Sequence, residues 1–117
     1  MSETVAPVEP LTARELGADL GEGATLVEIA SAFCQPCRAA RLVLEHAAST
    51  EPGVRVVVLD VADHLALGER LHVLSTPTVL VLDARGAVRH RMTGVPRLAQ
   101  VRAVLADVLG SATAPGP

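Results

Sequence analysis

Two thiols stand three positions apart in Phe33-Cys34-Gln35-Pro36-Cys37-Arg38, and the 117-residue chain has no others. Two residues between the sulfurs allow a small disulfide ring that opens and closes reversibly. The segment follows an apolar run and opens a helical one, so Cys34 is expected at a helix N-terminus. Unpaired backbone N–H groups and the helix dipole favour a thiolate there. Cys37, one turn further on, is within reach of a mixed disulfide made by Cys34. Pro36 fits the start of a helix, where its missing N–H would have had no partner. The spacing therefore points to thiol–disulfide exchange, with Cys34 attacking and Cys37 resolving.

Other chemistries use the same residue types. A structural zinc site needs two further ligands, and there is no second cysteine pair. His46, nine residues past Cys37, would lie half a turn round the same helix and about 13.5 Å along it. Metal held by two copies of the pair in a dimer stays open. So does a pair of inert cysteines serving as small apolar residues. His64, His72 and His90 share no convergent spacing with His46 and are read as solvated or satisfied. No metal site is expected within one chain. Arg38 either supports the Cys34 thiolate with its charge or is a solvated helix residue. Arg41 is read as a surface residue.

Composition narrows the field. Half of the residues are apolar and 20% are charged, which suits one globular domain and leaves no room for two full cores. All ten basic residues are Arg, so Schiff-base chemistry by a side-chain amine is excluded. The chain has no Asn, which removes N-glycosylation. With no Trp or Tyr, one Phe and a net charge of −3, nucleic acid is not an expected partner. No run reaches the roughly 18 to 20 apolar residues that span a bilayer, so no membrane partner is expected. The first ten residues carry acids and prolines and do not read as a signal peptide, so a cytoplasmic location is expected. In such a compartment a cysteine pair is catalytic or metal-binding rather than structural.

The elements that would hold the pair follow from pattern. Thr12-Ala-Arg-Glu15 has capping-box spacing and predicts a helix over 12–20, stopped by Gly21-Glu-Gly23. Residues 24–30 are apolar around one acid, Glu28, and predict a buried strand. A turn over 31–36 leads to a helix over 37–49. Residues 54–61 predict a strand covered on both faces. A short helix over 64–72 is broken by Ser75-Thr-Pro77. A strand over 78–82 turns at Asp83-Ala-Arg-Gly86 into a second over 87–92. Leu98, Val101, Leu105 and Val108 then mark the core stripe of a last helix. Loose tails are expected over 1–10 and 110–117, leaving one domain over 11–109. The order predicts an α/β fold, a mixed central sheet of about four or five strands with helices on both faces.

From about residue 24 to 109 the chain resembles the thioredoxin-like family. Cys34-Gln-Pro-Cys37 resembles the family's Cys-Gly-Pro-Cys, with Gln35 in place of Gly. Thr76-Pro77-Thr78 resembles its cis-proline loop. Asp83-Ala-Arg-Gly86 resembles the turn between its last two strands, and Gly94 the glycine before its last helix. Glu28, six residues before Cys34, stands where the family commonly has a buried Asp. Phe33 and Ala30 stand where Trp is common, Val58 where a Lys is, and Thr76 where an aliphatic residue is.

The resemblance implies a thioredoxin-like disulfide oxidoreductase. Cys34, Cys37 and Glu28 would be the catalytic groups, with Phe33, Gln35, Pro36 and Arg38 supporting them. Thr76, Pro77 and Gly94 would receive substrate, with Pro77 cis and main-chain groups pairing with an extended segment. Burial raises a carboxyl pKa, so Glu28 is positioned to exchange a proton with Cys37, unless it points to the sheet edge or pairs with an Arg. The implied partners are protein disulfides and an electron-donating reductase, served by a monomer. The redox-active Cys34–Cys37 disulfide would be used without a further cofactor. A non-catalytic module, docking an extended segment at the cis-proline loop without turnover, is the alternative.

Overall fold

The computed structural model describes residues 9–113, and the rest of the two expected tails lies outside them. The capping box forms: the Thr12 hydroxyl accepts the Glu15 N–H, and the Glu15 carboxylate accepts the Thr12 N–H. Helix α1 nevertheless covers only Ala13–Leu16. Gly17 adopts a left-handed φ of 66° and its N–H turns back to the helix carbonyls, so the helix ends before Gly21. Strand β1 is Ala24–Ala30. Helix α2 is Gln35–Ser49, starting two residues earlier than the sequence predicts because Cys34 itself caps it. Strand β2 is Val54–Asp60, followed by a 3₁₀ turn at Val61–Asp63. Helix α3 is Leu65–Arg70, strands β3 and β4 are Thr78–Asp83 and Val88–Thr93, and helix α4 is Leu98–Thr113. Residues 110–113, expected in a tail, thus continue α4. No helix among the described residues is long and apolar enough to cross a membrane.

The sheet order is β2-β1-β3-β4, with β1 and β2 parallel and the other pairs antiparallel. Alternation sorts the side chains of β1 into two layers. Ala24 and Leu26 pack with Leu44 and Ala47 of α2 and with Val101, Leu105 and Val108 of α4. Val27 and Ile29 pack on the other face with Leu11, Leu16, Leu67 and Leu71. Both faces of the sheet are covered, as the expected mixed α/β architecture requires.

The burial of β2 departs from expectation. It lies at the sheet edge, where Val57 and Leu59 are buried but Val58 is 40% exposed. Its β-branched run reads as a strand covered on both faces, yet only the Val57–Leu59 side is buried; on the other, Val54 and Val56 pack in part against the core and Val58 opens to solvent. A run of valines carries no mark that separates an edge from a centre.

The β3–β4 turn pins the start of the fold. Gly86 has φ +87°, and a Cβ there would stand 2.0 Å from the Leu11 carbonyl oxygen. The Leu11 N–H donates to the Gly86 carbonyl at 2.9 Å, tying the buried Leu11 to the turn. Gly86→Ala is expected to destabilise the protein by about 2 kcal/mol or more. Gly110 lies in α4 with open space around it, so Gly110→Ala is expected to stabilise by about 0.5 to 1 kcal/mol. Urea unfolding of the two variants measures both changes, and equal midpoints would show that crowding at Gly86 does not matter.

Candidate active site

The site forms where the C-terminal end of β1 meets the N-terminal end of α2. Cys34 is the N-cap: its backbone is extended, and its sulfur accepts the Cys37 N–H at 3.1 Å. A sulfur here takes the position a Ser or Asp oxygen takes in other helices. Pro36 sits in the first turn. Cys34 and Cys37 form a disulfide, with Cα atoms 5.2 Å apart. The two sulfurs are unequally exposed. Cys34 is half-buried, whereas Cys37 lies on the inner face of α2 with Ala40, Leu44 and Ala47 and is 6% exposed.

The loop opposite the disulfide comes from the start of β3. The Thr76–Pro77 peptide is cis, Pro77 is buried, and the Thr76 carbonyl oxygen lies 4.0 Å from Cys34 Sγ. Two of the contacts that hold this loop continue sheet register past the ends of the strands. In the β1–β3 ladder Ile29 faces Thr78, so two steps further on Ser31 faces Thr76. Their hydroxyl oxygens are 2.8 Å apart. In the β3–β4 ladder Thr78 faces Thr93, so Gly94 comes next to Pro77, and its N–H donates to the Pro77 carbonyl at 2.9 Å. Gly94 has φ +79°, the left-handed region that favours glycine. From β4 the Arg91 guanidinium donates to the main-chain carbonyls of Leu71 and His72, the latter at 2.6 Å, where α3 gives way to this loop.

Glu28 points from β1 toward α2 and α4. It is fully buried, and neither carboxylate oxygen has a hydrogen-bond partner. Burial pushes its carboxyl up to about 7, Arg41 opposes the rise and Glu45 adds to it. The position is central in the sheet, not at an edge, because β1 is flanked by β2 and β3.

The supporting residues differ in placement. Phe33 is 99% exposed with a left-handed φ of 57°, an uncommon conformation for an aromatic residue. Gln35, Pro36 and Arg38 are exposed on the first turn of α2. The Arg38 N–H donates to the Cys34 carbonyl at 3.3 Å, and no bond from its guanidinium to Cys34 is seen. Leu74 is 94% and Val95 45% exposed, on the loops beside Thr76 and Gly94. Sequence reading missed four contributors: Ser31, Leu74, Arg91 and Val95. The Ser31–Thr76 pair follows from ladder register once strand pairing is known. Nothing local to Arg91 announces its target. Among the described residues no cluster of three or more His, Cys, Asp or Glu side chains could hold a metal ion.

A disulfide capping a helix and facing a cis-proline loop is the site of a thioredoxin-fold thiol–disulfide oxidoreductase. The Thioredoxin family model matches residues 8–107, and the chain belongs to that family. Among curated proteins no sequence match is found. Solved thioredoxins share the fold. Chloroplastic thioredoxin z is 22% identical with a TM-score of 0.68, covering 91% of this chain and 97% of that one. Mitochondrial thioredoxin 3 from Saccharomyces cerevisiae, in its oxidised form, is 19% identical with a TM-score of 0.63, covering 74% of this chain and 79% of that one. A thioredoxin variant from Halobacterium salinarum NRC-1 is 21% identical with a TM-score of 0.62, covering 82% and 80% respectively. At these identities the likeness is one of fold.

The buried carboxyl has a consequence for stability. Unfolded, Glu28 titrates near 4.5; folded, it keeps its proton up to about 7. Between those values the folded state binds more protons, so this contribution is complete below pH 4.5 and is lost as pH rises through 7. Glu28→Gln keeps the shape and stays neutral. The oxidised variant is expected to lack the slope and to gain on the parent by about 3 kcal/mol above neutrality. Urea unfolding at about pH 5 and about pH 8 measures this. A stability difference between the two proteins that is the same at both pH values would overturn it.

Proposed function

We propose that this chain reduces disulfides in other proteins. The observation that carries the reading is the unequal exposure of the two sulfurs at the α2 N-terminus, opposite the Thr76–Pro77 loop. In the reduced protein Cys34 can meet an incoming disulfide, while Cys37 stays buried on the inner face of α2. Cys34 Sγ attacks one sulfur of the target; the target S–S bond breaks, and one target sulfur leaves as a thiolate that takes a proton from water. A mixed disulfide remains. Cys37 gives up its proton and attacks Cys34 Sγ, forming the intramolecular disulfide and expelling the second target sulfur. Two electrons pass from the dithiol to the target, and an electron-donating reductase must return them.

Helix-terminus N–H groups assist at the first step. The Cys37 N–H already points at Cys34 Sγ, where negative charge resides before attack. Glu28 takes the Cys37 proton at the second step. Its buried, unsatisfied carboxyl near neutrality suits it to accept and release a proton. Thr76, Pro77 and Gly94 form the docking edge for an extended target segment, and Phe33, Leu74 and Val95 offer apolar surface around it.

Insulin reduction with dithiothreitol as donor tests the reading. The parent protein is expected to accelerate it. Cys34→Ser is expected to abolish the effect, and Cys37→Ser to accumulate a mixed disulfide. No acceleration by the parent, together with undiminished target binding by Cys34→Ser, would make the chain a docking module without turnover. Phe33→Ala removes a ring with almost no buried surface, so the unfolding free energy should stay within about 0.5 kcal/mol of the parent. Its kcat/KM for insulin is expected to fall about three- to tenfold, corresponding to a loss of about 0.7 to 1.4 kcal/mol. Its reaction with a small aromatic disulfide should be unchanged.

A further inference from the structure

Helix α3 is closed by its own backbone. The Val73 N–H donates to the Gly68 carbonyl at 2.9 Å and the His72 N–H to the Glu69 carbonyl at 3.1 Å. These are the paired bonds of a Schellman motif, with His72 at φ 53° in the left-handed position where glycine is usual. Val73 completes the motif by packing in the layer that holds Leu67. The carbonyls of Leu71 and His72 are not part of that closure. Both accept from the Arg91 guanidinium, the second at 2.6 Å. Sheet register explains the meeting. Arg91 faces Leu80 across the β3–β4 ladder, and Leu80 belongs to the same layer as Leu67 and Leu71. The Arg91 side chain therefore leaves the edge strand β4 on the α3 side. An apolar layer offers a guanidinium no partner, whereas two successive carbonyls suit its planar fork.

The far end of the segment is held too. The Thr78 hydroxyl donates to the Ser75 carbonyl at 2.7 Å, and the Thr76 and Ser31 hydroxyl oxygens are 2.8 Å apart. Leu74 stands between the two fixed ends, 94% exposed and two residues before Thr76, whose carbonyl faces Cys34 Sγ. A leucine carried on a restrained segment offers apolar surface that is already ordered. A partner that covers it loses little conformational entropy in doing so.

We propose that Arg91 is a positioning residue that sets target preference: by holding the Leu71 and His72 carbonyls it fixes Leu74 beside the Thr76–Pro77 edge, as an anchor for targets that carry an apolar side chain next to their disulfide. The proposal rests on the reading of this chain as a reductase whose protein targets dock at that edge. Arg91 acts through Leu74 and not on the sulfurs, so its influence depends on what a target offers to Leu74. The fork matters as well as the charge. A lysine there keeps the charge but is a single point donor, and a methionine keeps much of the stem while giving up both bonds. With the bonds lost, Leu74 samples more positions, and part of its contact energy with a target is spent on ordering it.

The test has a kinetic arm and a structural one, on the parent, Arg91→Met, Leu74→Ala and the double variant. In the kinetic arm, kcat/KM is measured for insulin and for a small aromatic disulfide. Arg91→Met is expected to lower the insulin-to-small-disulfide ratio about three- to tenfold, chiefly through KM for insulin. In the Leu74→Ala background the same change should lower it little further. In the structural arm, nitrogen relaxation is read at the Leu74 N–H. Its order parameter is expected to fall from about 0.85 in the parent to below about 0.6 in Arg91→Met. Should Arg91→Met not fold, Arg91→Lys carries the same comparisons, with smaller changes in the same directions. Equal losses on both substrates, or a full Arg91 effect that persists without Leu74, overturn the proposal. So does an order parameter at Leu74 that no Arg91 variant moves. A parent that fails to reduce insulin sinks the reductase reading instead, and the relaxation arm still shows whether Arg91 fixes Leu74.

Discussion

The molecule depends on a helix that begins at a sulfur. The first turn of α2 has backbone N–H groups with no partner inside the helix, and the Cys37 N–H finds one in Cys34 Sγ. A cysteine used as a cap joins a structural requirement to a reactive one. The group that caps the start of the helix is also the more exposed member of the redox pair. Everything around it serves to keep that junction open to a partner on one side and closed on the other. Strand β1 delivers the chain to the end of the sheet, and the apolar face of α2 buries Cys37 while leaving Cys34 accessible.

The opposing loop is built by the sheet itself. Ladder pairing stops at Ile29–Thr78 and Thr78–Thr93, but its geometry continues. Ser31 meets Thr76 through hydroxyl groups, and Gly94 meets Pro77 through a main-chain bond. The site is therefore aligned to the same lattice as the core, not hung on a free loop. A site supported in this way is set by rigid elements. Glu28 belongs to the same lattice, in the middle of the central strand, where a carboxyl without partners weakens the fold at neutral pH. Such a feature breaks the rule that buried polar groups are satisfied, and departures of this kind concentrate at functional sites.

Much of this is readable from residue order. The two apolar runs that become β1 and β3 are covered on both faces, and the capping box and the Asp83–Gly86 turn form where their residue types require. The cysteine pair is likewise visible as types at fixed spacing and the buried acid as a break in an apolar run, while the proline loop is legible through the family resemblance. What escapes is set by tertiary context. Gly17 reads as an interior residue of a longer helix until its left-handed conformation ends α1 early. Val58 looks as buried as Val57, since only strand order decides which strand has an open side. Residues 110–113 look like a tail because small residues carry no stripe, yet helix geometry propagates through them. Arg91 reaches carbonyls some twenty positions away, a contact without a local signature.

Phe33 is the chain's one benzene ring, and it lies beside the reactive sulfur, almost wholly in solvent. With no tryptophan or tyrosine, the ring protons of this residue are the only ones from a phenyl group in the proton spectrum. The molecule thus carries a native reporter at the point where partners arrive, free of overlap from other phenyl rings. Chemical shift and line width there give a direct view of encounter and release, with no label attached.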